Sequence, residues 1–196
     1  MASTETDGRR QRAEKHRDAV VRAVLAAVKE TGRVPPVAEL GDLAGVSRRT
    51  VFRLFDDMES LHVAATRVQR AEVIRRFPPP FPTGQPLEER IRLLVDHRAS
   101  VYELIRPLRR VAEKFREESP TVRKDLAQSH AELRMHAALM LSDALPDPGA
   151  EREHAVTMLG LVTGFGAWRT LREDDALSVA DAKDAMTFAI VQLAER

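Results

Sequence analysis

The sequence predicts an all-α protein, with an N-terminal three-helix domain carrying a helix-turn-helix, a C-terminal helical bundle, and about nine helices in all. Apolar residues recur at helical spacing along most of the 196 residues, and no convincing strand pattern interrupts them. The clearest break is the proline-rich run from Pro78 to Pro86, because prolines at that density end a helix. A chain of this length with 43% hydrophobic residues can bury a sizeable core.

The first predicted helix runs from Arg17 to Thr31 and ends at Gly32. Its apolar face consists of Val20, Val21, Val24, Leu25 and Val28. Residues 1–8 are polar and are predicted to form a disordered tail. Residues 9–17 are predicted to form a basic arm that could reach DNA phosphates or a minor groove, the alternative being a solvated start of the helix. The basic residues assigned to this arm are Arg9, Arg10, Arg12 and Lys15.

Two short helices joined by a tight turn are predicted between Val37 and Phe55. Leu40 and Leu43 are expected to form the buried stripe of the first helix. Gly45 is placed to adopt the left-handed conformation that ends it. Ser47 is placed to cap the second helix by accepting a bond from an early backbone amide. The side chains expected to point inward from the second helix are those of Val51, Leu54 and Phe55.

The other face of the second helix is basic and predicts contact with DNA. Arg48, Arg49 and Arg53 fall outside the buried stripe, so the helix could lie in a major groove. An arginine there can donate two hydrogen bonds to guanine O6 and N7. The hydroxyls of Ser47 and Thr50 could bind phosphates and fix the register.

Residues 10–65 resemble the DNA-binding region of the TetR family of bacterial transcriptional regulators, through the run GVSRRTVFRLF and the DDMESL that follows it. The resemblance implies a helix-turn-helix DNA-binding domain over residues 9–57 and an effector-binding and dimerisation domain over residues 58–196. It implies a cytoplasmic homodimer that binds a palindromic operator as a repressor and that a small-molecule effector releases. Activation instead of repression is an open alternative.

The resemblance also assigns roles to individual residues of the second short helix. Arg48, Arg49 and Thr50 are implied to read bases, and Arg53 to bind a phosphate. The complete set of DNA-binding residues that it implies is Ser47, Arg48, Arg49, Thr50, Phe52 and Arg53.

Four positions depart from the family pattern. Phe52 stands where tyrosine is frequent, Leu54 where histidine is common, Met58 where lysine is common and Pro36 where threonine is frequent. Each change removes a familiar phosphate contact, so the basic arm must compensate or specific DNA binding is weak or lost. The main alternative is therefore a TetR-like dimer that acts through protein partners.

Beyond residue 57 the apolar pattern predicts six further helices. Their predicted ranges are 58–77, 87–105, 108–117, 120–145, 150–171 and 178–194. The last two carry apolar stripes, and glycines interrupt the stripe of the helix at 150–171, which suggests close approach of another helix. The resemblance implies a four-helix contact between two protomers, and packing within one subunit is the alternative. The candidate interface residues are Gly160, Gly164, Met186, Ala189, Ile190 and Leu193.

The same resemblance implies an effector cavity within the C-terminal helices, and aromatic and methionine side chains could line it. The candidate lining residues are Tyr102, Phe115, Met135, His136, Met140, Phe165 and Trp168. An apolar or aromatic effector is favoured, because few charged side chains are expected to point inward. The alternative is that these side chains are ordinary core residues.

Composition and the absence of certain motifs exclude several classes of protein and several kinds of site. The net charge is only +1, so any DNA affinity must come from a local basic patch. The absence of cysteine excludes disulfides and thiolate metal sites and fits a reducing cytoplasm. No phosphate loop, nucleophile elbow or HExxH is present, and the histidines are scattered, so no cofactor, metal site or catalytic site is predicted. A helical-bundle enzyme is a remote alternative. No apolar run approaches the length of a membrane span.

Overall fold

The computed structural model describes the backbone of residues 3–194 and the side chains of residue 8 and residues 10–194. The helices are α1 (Ser3–Thr31), α2 (Val37–Ala44), α3 (Arg48–Leu54), α4 (Met58–Arg76), α5 (Leu87–Phe115), α6 (Pro120–Met140), α7 (Ala150–Val162), α8 (Phe165–Arg169) and α9 (Val179–Ala194). A π-helical turn, Thr170–Asp174, follows α8. No strand occurs within residues 3–194, so the predicted all-α class is confirmed.

The chain forms two compact units. Unit 1 contains the residues up to Glu72 together with Ile105–Arg123, and unit 2 contains Val73–Leu104 and the residues from Lys124 onward. The boundary expected between residues 57 and 58 therefore falls inside unit 1. The reason is burial: Leu61 and Ala65 of α4 lie in the same apolar core as the valines of α1.

The core of unit 1 is built from the apolar faces of α1 to α4 and the C-terminal part of α5. Its fully buried members are Val20, Val21, Val24, Val28, Leu40, Val51, Phe55, Leu61, Ala65, Leu108 and Val111. Burying a side chain of this size stabilises the fold by roughly 1.5–3 kcal/mol. The stripe predicted for the first helix is thus the one that holds the helix-turn-helix in place.

Helix α1 begins earlier than expected. The structure continues it back to Ser3, where a disordered tail was predicted for residues 1–8, and the basic run of residues 9–17 lies within it. The expected arm is therefore a helical extension. Residues 1 and 2 lie outside the described part of the chain.

Helix α5 is a single helix with Pro107 inside it, whereas two helices, 87–105 and 108–117, were predicted for this stretch. A proline inside a helix removes one backbone hydrogen bond and crowds the preceding turn. Here Leu108 and Val111 are each 4% exposed, so burial on the far side of the proline holds the helix in one piece.

The helix predicted for residues 150–171 is interrupted in the structure. It ends at Val162, and α8 restarts at Phe165. The Thr163 hydroxyl donates to the Leu159 carbonyl at 2.7 Å, and the Tyr102 hydroxyl donates to the Thr163 carbonyl at 2.7 Å. The Leu159 carbonyl also accepts from the Thr163 amide at 3.0 Å, so it is the bond from Tyr102 that satisfies a carbonyl left over at the break.

Candidate functional site

The turn between α2 and α3 has the geometry predicted from the sequence. Gly45 adopts φ 66° and ψ 31°, the left-handed conformation that glycine reaches without a Cβ penalty. The amide of Gly45 donates to the Asp42 carbonyl and that of Val46 to the Gly41 carbonyl at 2.9 Å. The first helix therefore ends with satisfied carbonyls and turns directly into α3.

Gly41 sets the distance between the two helices, and it was not among the residues predicted from the sequence. A Cβ atom at this position would lie 2.8 Å from the Val46 carbonyl oxygen and 3.3 Å from the Arg48 amide nitrogen. Both obstacles are backbone atoms of the turn and cannot rotate away. The available signal was a glycine inside a short helix, where it lowers helix propensity and so suggests a packing requirement.

Ser47 caps α3 as predicted. Its hydroxyl accepts from the Thr50 amide at 3.1 Å and lies 2.9 Å from the Thr50 hydroxyl. The cap satisfies one of the free amides of the first turn. The Thr50 hydroxyl is engaged with this cap, so its position relative to the helix is fixed.

The inner face of α3 was predicted correctly, and the inner face of α2 only in part. Val51 and Phe55 are 3% and 4% exposed, and Leu54 is half-buried. Leu40 is fully buried, but Leu43 is 56% exposed, contrary to expectation. The buried face of α2 is centred on Leu40 and its neighbour at position 41, and a residue three positions beyond Leu40 points away from that centre.

Arg17 connects α1 to the end of α3. Its guanidinium donates to the Leu54 carbonyl at 2.7 Å and lies 4.4 Å from the centre of the Phe55 ring. The bond satisfies a C-terminal carbonyl of α3, and the ring contact adds a cation–π interaction. This arginine of the basic run therefore has a structural role.

The outer face of α3 carries Arg48, Arg49, Phe52 and Arg53, all of them exposed. Arg48 lies over the Phe52 ring, 5.5 Å from its centre. Among residues 10–194 no ion pair within 4.0 Å involves these three arginines. The face therefore presents uncompensated guanidinium groups beside the first turn of a helix, an arrangement suited to phosphates and base edges.

The basic residues of α1 extend this positive surface. Arg10, Arg12 and Lys15 are exposed, and Arg10 lies 3.5 Å from Glu14 in an exposed pair. Such a pair is worth little and is easily exchanged for another partner. The predicted contact at Arg9 lies outside the described side chains.

Two of the four positions that depart from the TetR pattern, Pro36 and Met58, lie at the starts of α2 and α4. Pro36 precedes α2 with φ −57° and ψ 152°, and no side chain caps that helix. Met58 is 40% exposed at the start of α4. Neither residue offers a hydrogen-bond donor to a phosphate.

The predicted effector-pocket residues fall into four groups. Tyr102, Met140, Phe165 and Trp168 are at most 5% exposed in unit 2, where the Tyr102 ring lies 5.6 Å from that of Phe165 and 6.3 Å from that of Trp168. The three aromatic rings pack together in the core of this unit. Met135 is 63% exposed on α6, so its assignment to a pocket was wrong.

Phe115 belongs to the other unit. It lines a cavity of about 60 Å³ in unit 1, together with Val24, Leu61 and Val111. Its assignment to an effector cavity among the C-terminal helices was therefore also wrong, because the end of α5 packs with the core of unit 1.

His136 is the predicted pocket residue that the structure places in a polar setting. Its Nδ1 atom lies 3.2 Å from Nη2 of Arg98, and its Nε2 atom lies 2.7 Å from the Pro80 carbonyl. His97 lies beside it, with ring centres 5.8 Å apart, and its Nε2 atom lies 3.1 Å from the Phe77 carbonyl. We call Arg98, His97 and His136 the Arg98 cluster.

Burial controls the charge of this cluster. Loss of hydration, reinforced by the charge of Arg98, lowers the pKa of His97 to about 4. Burial also lowers the pKa of His136. Both imidazoles are therefore neutral at pH 7, and the cluster carries one positive charge. The sequence analysis missed Arg98 and His97, because a charged residue in a helix normally indicates a solvated face.

Most of the predicted interface residues are buried within one subunit. Met186 and Ile190 are at most 1% exposed, and a Cβ atom at Gly160 would lie 2.7 Å from Cγ of Arg134. The close helix approach predicted from Gly160 is thus made by α6 of the same chain. Gly164 is also buried, at the break after α7, whereas Ala189 and Leu193 are half-buried.

The large apolar side chains that α7 and α9 expose are different ones. They are Met158, Leu161, Val179 and Phe188.

None of the helices within residues 3–194 is long and apolar enough to span a membrane. Within the same residues, no group of three or more His, Asp or Glu side chains is arranged to hold a metal ion.

No protein-family model matches the sequence, and no curated protein matches it. Solved structures do. A TetR-family transcriptional regulator from Rhodococcus sp. superposes with a TM-score of 0.63 at 18% identity, over 91% of this chain and 98% of that chain. A TetR-family transcriptional regulator from Mesorhizobium loti MAFF303099 superposes with a TM-score of 0.58 at 16% identity, over 93% of this chain and 96% of that chain. The chain has the fold of these regulators over nearly its whole length.

Proposed function

We propose that this protein is a TetR-type transcriptional regulator that binds a palindromic DNA operator as a homodimer and is released from it by a small-molecule effector. One observation carries the proposal. The outer face of α3 presents Arg48, Arg49 and Arg53 on a capped helix-turn-helix, without an ion pair among residues 10–194. The shared fold with two TetR-family regulators supports the same function.

Within this proposal, α3 lies in the major groove. Arg48 and Arg49 stand at its N-terminal end, where side chains of a recognition helix contact base edges. Each bidentate contact to guanine would contribute about 1–3 kcal/mol of discrimination. Arg53, about one turn beyond Arg49, is suited to a phosphate. The stacking of Arg48 on Phe52 limits the orientations of its guanidinium and so reduces the entropy lost on binding.

Dimerisation is assigned to the exposed apolar residues of α7 and α9. Leu161 and Phe188 are 58% and 68% exposed, which is costly for large apolar side chains unless a second subunit covers them. A two-fold dimer would place two copies of α3 in successive major grooves, about 34 Å apart. The interface proposed here replaces the buried residues that the sequence suggested.

Repression and release follow from linkage. The dimer would have two states, one in which the two copies of α3 are spaced to fit the operator and one in which they are not. An effector that binds unit 2 more tightly in the second state lowers operator affinity, and the factor is set by the ratio of its affinities for the two states. Activation would use the same binding equilibrium with a different operator position.

A second candidate function is supported by specific residues. Pro36 and Met58 offer no donor at positions where the family commonly binds phosphates, and Phe52 lacks a hydroxyl. A TetR-like dimer with no specific DNA binding would then act through protein partners. The exposed arginines of α3 favour the DNA-binding function over this one.

The test measures binding of the purified protein to a mixed-sequence duplex by fluorescence anisotropy, from about 50 to about 200 mM salt. The wild type is expected to bind, and Arg53→Ala to reduce the slope of log K against log salt by about one. Arg123→Ala is the matched control, because Arg123 is also exposed in unit 1 but lies on α6. Absence of binding at the lowest salt, or equal slopes for both variants and the wild type, would contradict the proposal.

A further inference from the structure

Arg98 is a buried cation with no anionic partner among the side chains of residues 10–194. Its side chain is fully buried, and Nη2 donates to the Leu133 carbonyl at 2.7 Å. Its Nε and Nη1 atoms have no hydrogen-bond partner among the described residues. A guanidinium is not deprotonated in proteins, so the charge persists.

Arg90, also buried in unit 2, has the carboxylate partner that Arg98 lacks. Arg90 is 6% exposed, and its Nη1 and Nη2 atoms contact the two carboxylate oxygens of Asp143 at 2.6 and 2.9 Å. Arg98 has no such pair with any described carboxylate. Burying a charge is strongly unfavourable unless a partner charge and hydrogen bonds offset it.

The neighbouring histidines do not supply the missing charge. Because His136 Nε2 faces the Pro80 carbonyl, the neutral ring carries its proton there, and Nδ1 accepts from Arg98. His97 faces the Phe77 carbonyl in the same way, which leaves its buried Nδ1 as an acceptor without a partner among the described residues. Two donor atoms of the cluster, Nε and Nη1 of Arg98, and one acceptor atom, Nδ1 of His97, therefore have no hydrogen-bond partner among the described residues.

The buried residues on the same helix faces as the cluster are mostly apolar. Leu94 and Tyr102 lie one turn before and one turn after Arg98 on α5, Met140 lies one turn after His136 on α6, and all three are fully buried. The Phe81 ring packs edge-on against His136, with centres 6.2 Å apart. A ligand held by Arg98 would therefore have one anionic end and an apolar body.

We propose that Arg98 anchors a binding site for a small organic carboxylate with an apolar body, located between α5, α6 and the segment from Phe77 to Pro86. A carboxylate oxygen accepts from Nη1 or Nε of Arg98, and the apolar part contacts the buried side chains of α5 and α6. This site gives a chemical class to the effector and in that respect rests on the proposed function. Binding itself does not depend on DNA.

The segment from Phe77 to Pro86 is the part of the site that must shift to admit the ligand. It is attached to the cluster through the Phe77 and Pro80 carbonyls and through the Phe81 ring. Its prolines lack backbone donors, so its displacement breaks few backbone hydrogen bonds. Phe81 is 58% exposed, which places this attachment at the surface.

The test is a thermal-shift titration of the full-length protein at pH 7 without DNA. The probes are benzoate, the neutral isostere benzamide, and inorganic phosphate. Benzoate at about a hundredfold excess over its Kd is expected to raise the Tm by about 5–10 °C, and benzamide to leave it unchanged. Arg98→Met is expected to abolish the benzoate shift. Arg92→Met is the matched control, because Arg92 is an exposed arginine on the same helix, and it is expected to retain the shift.

Without ligand, Arg98→Met is expected to melt no lower than the wild type, because it removes an uncompensated buried charge. If that variant does not fold, Arg98→Gln provides the same ligand comparison. The proposal is overturned by no benzoate shift in the wild type, by an equal shift with benzamide or with phosphate, or by a benzoate shift that survives loss of Arg98. Since DNA is absent, these failures would leave the proposed DNA binding untouched, and failure of DNA binding would leave this site untouched.

Discussion

Gly41 provides a direct test of how α2 and α3 are held together. In Gly41→Ala the new methyl group would lie 2.8 Å from the Val46 carbonyl oxygen and 3.3 Å from the Arg48 amide, so the turn must shift. Overpacking costs roughly 1–3 kcal/mol, and a rigid backbone obstacle places this case at the upper end. Alanine regains about 1 kcal/mol of helix propensity over glycine. The net loss of unfolding free energy is therefore about 2 kcal/mol, or a Tm lower by about 4–8 °C.

The measurement is urea unfolding followed by circular dichroism, with Gly166→Ala as the matched control. A Cβ atom at Gly166 would meet no atom within 4 Å, and Gly166 is itself exposed near the start of α8. That variant is expected to be more stable than the wild type by about 0.5–1 kcal/mol. If the change in unfolding free energy is negative for Gly41→Ala and positive for Gly166→Ala, the loss at position 41 is due to the close contact there and not to the substitution of glycine by alanine as such. If Gly41→Ala matched or exceeded wild-type stability, the proposed steric role of Gly41 would be refuted.

Three further predictions concern single side chains. Ser47→Ala is expected to cost about 1 kcal/mol in urea unfolding, because the Thr50 amide loses its cap; an unchanged midpoint would contradict the capping role. Tyr102→Phe is expected to cost about 1–2 kcal/mol, because the Thr163 carbonyl loses its donor at the break after α7, and a neutral result would show that water replaces the hydroxyl. Because the pKa of His97 falls from its usual 6.5 to about 4 on folding, the unfolded chain binds this proton first on acidification, and stability falls between those pH values. After allowance for solvent screening, the wild type should lose about 1–2 kcal/mol more than His97→Gln from pH 7 to pH 4, and equal losses would contradict the assignment.

The helix-turn-helix could be predicted because its determinants are local. Gly45 and Ser47 each act within three or four residues along the chain, through a left-handed turn and a helix cap. Burial of Val51 and Phe55 then follows from helical spacing. The predicted burial of Leu43 was wrong because the sequence of an eight-residue helix does not determine which of its faces is buried. Here the buried face is set by the close contact at Gly41.

Unit 2 could not be predicted to the same depth, because the contacts that determine its core are long-range. Methionine and aromatic residues at helical spacing do not reveal which face is buried, so exposed Met135 and core residue Trp168 looked alike. Gly160 correctly indicated a close neighbour, but only the fold shows that the neighbour is Arg134 of the same chain. Arg98 was missed because its partners, the Leu133 carbonyl and His136, are more than thirty residues away.

The proposed function requires that α3 reads a specific DNA sequence as part of a dimer. The decisive experiment is an in vitro selection of random duplex DNA by the purified protein, at low and then at moderate salt. We expect enrichment of an inverted repeat with half-sites about one helical turn apart, together with loss of that enrichment in Arg49→Ala and its retention in Arg123→Ala. Recovery of no common sequence at either salt, or the same sequence with Arg49→Ala, would contradict it.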